Sequence, residues 1–154
     1  MLAVALAVAT SLGVGYIPFA PGTFGSLVGL LLWWALPPSA AGQAAVIVGL
    51  FVVGSWSASV AERHFASTDP GAVVIDEVMG MLITMFLNPG GWLSLGLGFL
   101  LFRAFDVIKP YPANRLERLH GGIGVMADDA MAAVYANLAL RASLTLGAWV
   151  VAVR

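Results

Sequence analysis

The first 61 residues of the chain contain no charged side chain. Over all 154 residues, 60% are apolar and 10% are charged, whereas soluble domains are typically about 25% charged. Uncharged apolar stretches of about 20 residues are typical of helices that cross a membrane. The sequence therefore predicts an all-α fold, a polytopic integral membrane bundle of helices that forms one membrane-embedded domain over residues 1–154.

Several classes of function are disfavoured by the composition. The chain has no cysteine, which excludes thiolate nucleophiles, disulfides and thiolate metal sites. His64 and His120 are too far apart for a local zinc motif. The net charge of −1 gives no indication of a nucleic-acid partner.

Proline- and glycine-rich breakers divide the chain into about five predicted membrane helices. The predicted helices cover residues 24–36, 41–61, 72–87, 92–109 and 128–153. Residues 1–15 are apolar and are predicted to lie at the membrane or to dip into it. The third and fourth helices form an αα-hairpin over 72–109, because only the short uncharged turn 88–91 separates them.

This hairpin brings distant acidic residues to one face of the membrane. Asp76 and Glu77 begin one leg, and Asp106 ends the other. The last predicted helix begins with Asp128 and Asp129, which the same topology returns to that face. Because Arg63, Arg115 and Arg118 also lie there, the positive-inside tendency places this face in the cytoplasm. The predicted location is a bacterial-type cytoplasmic (inner) membrane, crossed several times.

Eight of the 15 charged side chains fall between residues 102 and 129. They are Arg103, Asp106, Lys109, Arg115, Glu117, Arg118, Asp128 and Asp129. One interpretation is a solvated loop between helices.

The alternative is a cation-binding site, since five carboxylates converging at a low-dielectric boundary repel each other unless a cation neutralises them. Oxygen ligands alone favour Mg²⁺, Mn²⁺ or Ca²⁺ over zinc. The candidate metal ligands are Asp76, Glu77, Asp106, Asp128 and Asp129.

Basic residues and glycine-rich turns are candidates for binding phosphate. Arg103, Asp106 and Lys109 share one helix face. They could form a ladder of ion pairs within the helix. Alternatively, Asp106 could bind the metal while Arg103 or Lys109 binds phosphate oxygens. Gly22 and Thr23 open a helix whose amides could bind an anion or whose Thr23 hydroxyl could simply cap it.

The loop before the aspartate pair offers further candidates. Gly121 and Gly122 follow His120 and could bring backbone amides to a phosphate, or could form an ordinary interhelical loop. His120 is a candidate acid for the leaving alkoxide. Arg115 is a further candidate phosphate ligand. Asp128 and Asp129 could also be simple helix N-terminal charges.

At these residues the chain resembles the phosphatidylglycerophosphatase A family. The resemblance lies in four blocks in the family's order, and it extends over most of the chain. The blocks are PGTFGSL at 21–27, IDEVMGM at 75–81, FRAFDVIKPYP at 102–112 and HGGIGVMADD at 120–129.

The resemblance implies a Mg²⁺-dependent membrane lipid phosphatase of phospholipid biosynthesis, hydrolysing phosphatidylglycerophosphate to phosphatidylglycerol and phosphate. Asp76, Asp106 and Asp129 would be the main metal ligands, with Glu77 and Asp128 as further ligands or a base. Arg103 and Lys109 would stabilise charge on the phosphoryl oxygens. A water and a direct Asp nucleophile both remain open.

Two other functions use similar acidic residues. A metal-dependent phospholipid headgroup transferase would carry an acid-rich run of the DGxxAR type, which the sequence lacks. A divalent-cation transporter would place its acids near mid-membrane, whereas these lie at helix ends. The sequence does not give the oligomeric state.

Overall fold

The computed structural model describes residues 1–116 and 118–152, and over these it is entirely α-helical apart from turns and one short 3-10 helix. The helices are α1 (Leu2–Ala9), the 3-10 helix (Val14–Tyr16), α2 (Pro21–Ala35), α3 (Ala40–Phe65), α4 (Ile75–Met85), α5 (Trp92–Ile108), α6 (Ala113–Leu116) and α7 (Gly122–Ala152). Glu117, one of the charges of the 102–129 stretch, and Val153, the predicted end of the last helix, lie outside the described residues.

The prediction of an all-α fold is confirmed, but two helices begin earlier than predicted. Helix α2 begins at Pro21, which suits the first position of a helix because proline lacks the N–H that would be unpaired there. Thr23 therefore lies inside the first turn, and no side chain of the described residues caps this helix. Helix α7 begins at Gly122, so Asp128 and Asp129 lie in its second turn rather than at its start.

Among the described residues, two helices, α3 with 26 residues and α7 with 31, are long and apolar enough to cross a membrane. This is fewer than the predicted number of about five, because α2 and α5, with 15 and 17 residues, and α4 are shorter than the roughly 20 residues of a typical span. The shortest is α4, which has 11 residues where the sequence predicts 16. At about 1.5 Å per residue it is roughly 16 Å long, about half of a 30 Å hydrocarbon layer.

Helix α4 is the central helix of the fold and contacts α2, α3, α5 and α7. Nine of its 11 residues are buried, Met79, Met81 and Met85 completely. Glycines allow α2 to approach it closely. A Cβ on Gly29 would lie 2.6 Å from the Val78 carbonyl oxygen. The close α2–α4 contact holds the start of α2 beside the first turn of α4.

Two polar side chains of α7 bind the carboxyl end of α4. The Asn137 amide nitrogen donates hydrogen bonds to the carbonyl oxygens of Ile83, Thr84 and Phe86, at 2.9–3.0 Å. Arg141 donates to the Phe86 carbonyl and to the Asn137 side-chain oxygen, both at 2.9 Å. These bonds satisfy carbonyls that a helix end leaves without an intrahelical donor. A charged side chain in an apolar helix needs polar partners, and these bonds show that the Arg141 guanidinium is directed into the bundle, where it has them.

Replacing Asn137 by leucine, which is of similar size, is expected to destabilise the fold. The change removes the three amide hydrogen bonds to the end of α4 and leaves Arg141 Nε without its acceptor, at a cost of about 1–3 kcal/mol for a buried polar group left unpaired. Thermal unfolding in detergent should show a lower midpoint for Asn137→Leu. Ser143→Ala is the control, because Ser143 is an exposed residue of α7 bonded only to the carbonyl of its own helix at Ala139. Equal midpoints for wild type and Asn137→Leu would contradict this role.

Candidate active site

Three carboxylates from two helices converge near one end of the bundle. Asp76 and Glu77 lie in the first turn of α4, and Asp129 lies in the second turn of α7. Each offers one oxygen, and these three oxygens lie within 4.8 Å of one another. Asp76 is 6% exposed and Asp129 is 3% exposed. The packing of α4 against α7 thus concentrates negative charge in a place with little water.

One oxygen of each carboxylate lacks a hydrogen-bond donor. Asp76 Oδ1, Glu77 Oε2 and Asp129 Oδ2 are buried and have no hydrogen-bond partner among the described residues. A buried carboxylate oxygen without a donor is costly, because it has lost its water and gained nothing in return. An oxygen-only set of this kind suits a hard divalent cation such as Mg²⁺. The residues present therefore fit the metal that the sequence predicts.

Arg103 and Asp106 reach the same place from α5. One guanidinium nitrogen of Arg103, Nη1, lies 2.6 Å from Asp106 Oδ2 and 3.7 Å from Glu77 Oε1. Asp106 is 9% exposed. The predicted hairpin therefore has the expected consequence: Glu77 at the start of α4 and Asp106 near the end of α5 are joined through one arginine.

A second ion pair links α5 to α7. Lys109 Nζ binds Asp128 Oδ2, and Asp128 Oδ1 accepts the backbone N–H of Asp129 at 3.0 Å. Both oxygens of Asp128 thus have partners, whereas Oδ2 of its neighbour Asp129 has none among the described residues. Five acidic side chains face two basic ones here, so the site retains an excess of negative charge even with both ion pairs formed.

These side chains surround a polar cavity of about 220 Å³. Its lining comes from the start of α2, the loop before α4, and helices α4, α5 and α7. Gly22 is part of the lining, and a Cβ added to it would lie 2.1 Å from Glu77 Oε1 and 3.1 Å from Arg103 Nη1. Only glycine leaves room for this arrangement. Of the predicted site residues, the cavity lining includes Gly22, Asp76, Glu77, Arg103, Asp106, Lys109 and Asp129.

The other predicted site residues lie elsewhere. Asp128 lines a neighbouring cavity of about 540 Å³, as does Gly121. The Gly122 N–H donates to Ser59 Oγ at 2.8 Å, so it serves the contact of α7 with α3. His120 is exposed, and the exposed Arg115 has its guanidinium carbon 5.0 Å from the Tyr111 ring centre. Thr23 is half-buried in α2 and does not line the 220 Å³ cavity.

Asp69 lines the 220 Å³ cavity but was not among the predicted site residues. It precedes α4 in the loop that carries Pro70 and Gly71. The sequence indicates it only by position, because the polar loop that contains Asp69 leads directly to Asp76 and Glu77. Asp69 also lines the 540 Å³ cavity, so it lies where the two cavities meet.

Comparison with known proteins gives a consistent result. A family model described as phosphatidylglycerophosphatase A matches residues 7–144. Proteins named phosphatidylglycerophosphatase A from Escherichia coli and Haemophilus influenzae are 34% and 35% identical, over 82% and 83% of this chain and 75% and 81% of their own. A Bacteroides thetaiotaomicron protein with the provisional name phosphatidylinositol-3-phosphatase is 38% identical, over 83% of this chain and 86% of its own.

No solved structure matches the chain. The family match covers most of the sequence and includes every residue of the cavity. The chain therefore belongs to the phosphatidylglycerophosphatase A family and is a phosphatase.

Proposed function

We propose that the chain is a Mg²⁺-dependent membrane phosphatase that hydrolyses phosphatidylglycerophosphate to phosphatidylglycerol and phosphate in phospholipid biosynthesis. The observation that carries the proposal is the group of three carboxylates beside Arg103, Asp76, Glu77 and Asp129, each with one buried oxygen that has no hydrogen-bond partner among the described residues. The family match and the names of the two 34–35% identical relatives support the choice of substrate.

The three carboxylates are the proposed ligands of the divalent cation. Asp106 lines the same cavity and completes the acidic wall. A cation held there supplies Lewis acidity for a phosphate oxygen and makes a coordinated water more acidic. Mg²⁺ suits the site because it commonly binds through a few carboxylates and keeps the rest of its shell for water and substrate phosphate.

The basic side chains have a separate role in this proposal. Arg103 and Lys109 line the cavity and approach it from one helix end, where they orient the phosphomonoester and stabilise the charge that develops on its oxygens. Asp106 lies outside the three-carboxylate cluster and is the proposed acceptor of the proton from the attacking water. The water oxygen bonds to phosphorus while the bond to the lipid oxygen breaks; the lipid oxygen takes a proton from bulk water, and Asp106 afterwards releases the proton that it accepted to bulk water.

The arrangement of helices supports a membrane location. We propose that α3 and α7 cross the bilayer and that α2, α4 and α5 are inserted beside them, which gives a multi-pass protein with five helices in the membrane. Asp76, Glu77 and Asp129 all lie near helix starts. The start of α7 contacts α3 at Ser59, near the end of α3 that carries Arg63, so these residues share one end of the bundle. The positive-inside tendency then places the site at the cytoplasmic face of an inner membrane, where the phospholipid headgroups are.

A comparison of lipid substrates tests this function. Purified protein in mixed micelles with Mg²⁺ should release phosphate from phosphatidylglycerophosphate faster than from phosphatidylinositol 3-phosphate at equal surface concentration. The second lipid is included because a 38% identical relative carries a name that refers to it. Faster release from the inositol lipid would overturn the proposed substrate while leaving a lipid phosphatase.

The transporter and transferase alternatives are not favoured. The three-carboxylate cluster lies in the first turn of α4 and the second turn of α7 rather than at the middle of a span. Liposomes containing the protein should therefore show no flux of divalent cations above that of empty liposomes. Flux without phosphate release would support a transporter.

A further inference from the structure

An apolar groove lies between α2 and α5, on the part of the bundle beyond the acidic cavity. Its volume is about 800 Å³, and its lining is almost entirely leucine, tryptophan, phenylalanine and glycine. The lining includes Leu27, Leu31, Trp34, Trp92, Gly96 and Phe99. Trp34 and Trp92 are 78% and 89% exposed, so the groove is open along its side.

The groove is continuous with the acidic cavity along one face of α5. Trp92, Gly96 and Phe99 are separated by four and three residues, and Arg103 and Asp106 continue the same spacing. Residues three or four apart lie on one face of a helix, one above the other. The face that presents Arg103 and Asp106 to the cavity thus presents Phe99 to the groove, one helical turn away.

Helix α2 also contributes to both places, although with different faces. It begins at the cavity, where Gly22 lies against Glu77 and Arg103, and its later residues Leu27 and Leu31 line the groove. Both walls of the groove are therefore continuations of helices that build the site. A ligand that occupies both places must have an anionic end and a hydrocarbon end.

We propose that this groove binds an acyl chain of the phospholipid whose phosphate enters the acidic cavity. The proposal rests on the proposed function and names the part of the substrate that the α2–α5 groove recognises. The distance from the far end of the groove to the acidic cavity agrees with this occupant: Trp92 lies 11 residues from Arg103, about 16 Å along α5, and one leaflet contributes about 15 Å of hydrocarbon. The groove would hold the substrate while its headgroup reacts.

Two glycine substitutions make a matched test. A Cβ on Gly96 would have no neighbouring atom within 4 Å, and the same is true of Gly147 on α7. Both positions should therefore accept phenylalanine without disturbing the fold. Gly96→Phe places a ring in the groove, whereas Gly147→Phe adds the same ring to an exposed helix face outside it.

The measurement is the ratio of kcat/KM for a long-chain to a short-chain phosphatidylglycerophosphate in one detergent. For Gly96→Phe we expect this ratio to fall about tenfold, which corresponds to uncovering roughly two methylene groups of the acyl chain. Gly147→Phe should keep the wild-type ratio. An unchanged ratio in Gly96→Phe, or an equal fall in both variants, would overturn the proposal.

A crosslinking experiment separates this inference from the proposed function. Phosphatidylglycerophosphate with a diazirine in its acyl chain is photolysed with wild-type protein, and the modified peptides are identified by mass spectrometry. Modification of residues 27–34 and 92–99 that excess unlabelled long-chain lipid suppresses would support the groove. Modification only elsewhere, or links from these segments to a second copy of the chain, would overturn it. If the wild type releases no phosphate from either lipid, the proposed function fails, and crosslinking alone decides the role of the groove.

Discussion

Replacing Asp129 by asparagine is expected to reduce phosphate release about a thousandfold or more, because a bound cation contributes several kcal/mol to catalysis and each 1.36 kcal/mol is a factor of about ten. Asparagine keeps the size of the side chain but removes its negative charge. The substitution also removes one of the three clustered oxygens that lack a donor. Release of phosphate from phosphatidylglycerophosphate in micelles, at saturating Mg²⁺, is the measurement.

The same variant should remain folded, and this distinguishes loss of a ligand from loss of structure. Removing one of three buried like charges relieves repulsion, so the unfolding midpoint of Asp129→Asn in EDTA should equal or exceed that of wild type. Glu62→Gln is the control for the loss of one negative charge as such, because Glu62 lies at the end of α3 and does not line the acidic cavity. Full activity in Asp129→Asn would remove this residue from the proposed site.

Replacing Arg103 by glutamine is expected to lower kcat by about a hundredfold to a thousandfold, the effect typical of removing one donor from a developing oxyanion. The change also leaves Glu77 and Asp106 without the guanidinium that lies between them. Arg103→Lys should recover part of the rate, since lysine restores the charge but not the planar fork that binds two oxygens at once.

The rates of phosphate release by these two variants, and by Arg63→Gln as a control, test the role of Arg103. Arg63 is exposed at the end of α3 and does not line the acidic cavity, so its loss should change the rate less than twofold to threefold, as expected for a screened surface charge. Equal rates for Arg103→Gln and Arg63→Gln would show that Arg103 has no special function.

Much of this site could be predicted because its residues lie where simple rules place them. Helix breakers in the 88–91 turn indicate a hairpin. In a hairpin the end of the second helix lies beside the start of the first, so Asp106 returns to the end of the bundle that carries Glu77. The absence of cysteine and the presence of only two histidines favour oxygen ligands for a metal. The family resemblance in the sequence is confirmed by the match over residues 7–144.

Other features depend on contacts between helices that periodicity does not reveal. The short length of α4 is associated with Asn137 and Arg141, which bind its last carbonyls from a distant part of the chain. Adjacent aspartates also acquire different surroundings. Asp128 pairs with Lys109, whereas Asp129 faces Asp76 and Glu77, because successive residues of a helix point about 100° apart. From the sequence both are candidate ligands, Asp129 as a main ligand and Asp128 as a further ligand or a base.

The central claim is that the cluster of Asp76, Glu77 and Asp129 holds a divalent cation required for phosphate release. The most direct measurement is phosphate release from phosphatidylglycerophosphate by one preparation of purified protein, first in EDTA and then after excess Mg²⁺ is restored. We predict no release above background in EDTA and full recovery with Mg²⁺. Undiminished release in EDTA, from protein shown to be free of metal, would contradict the claim.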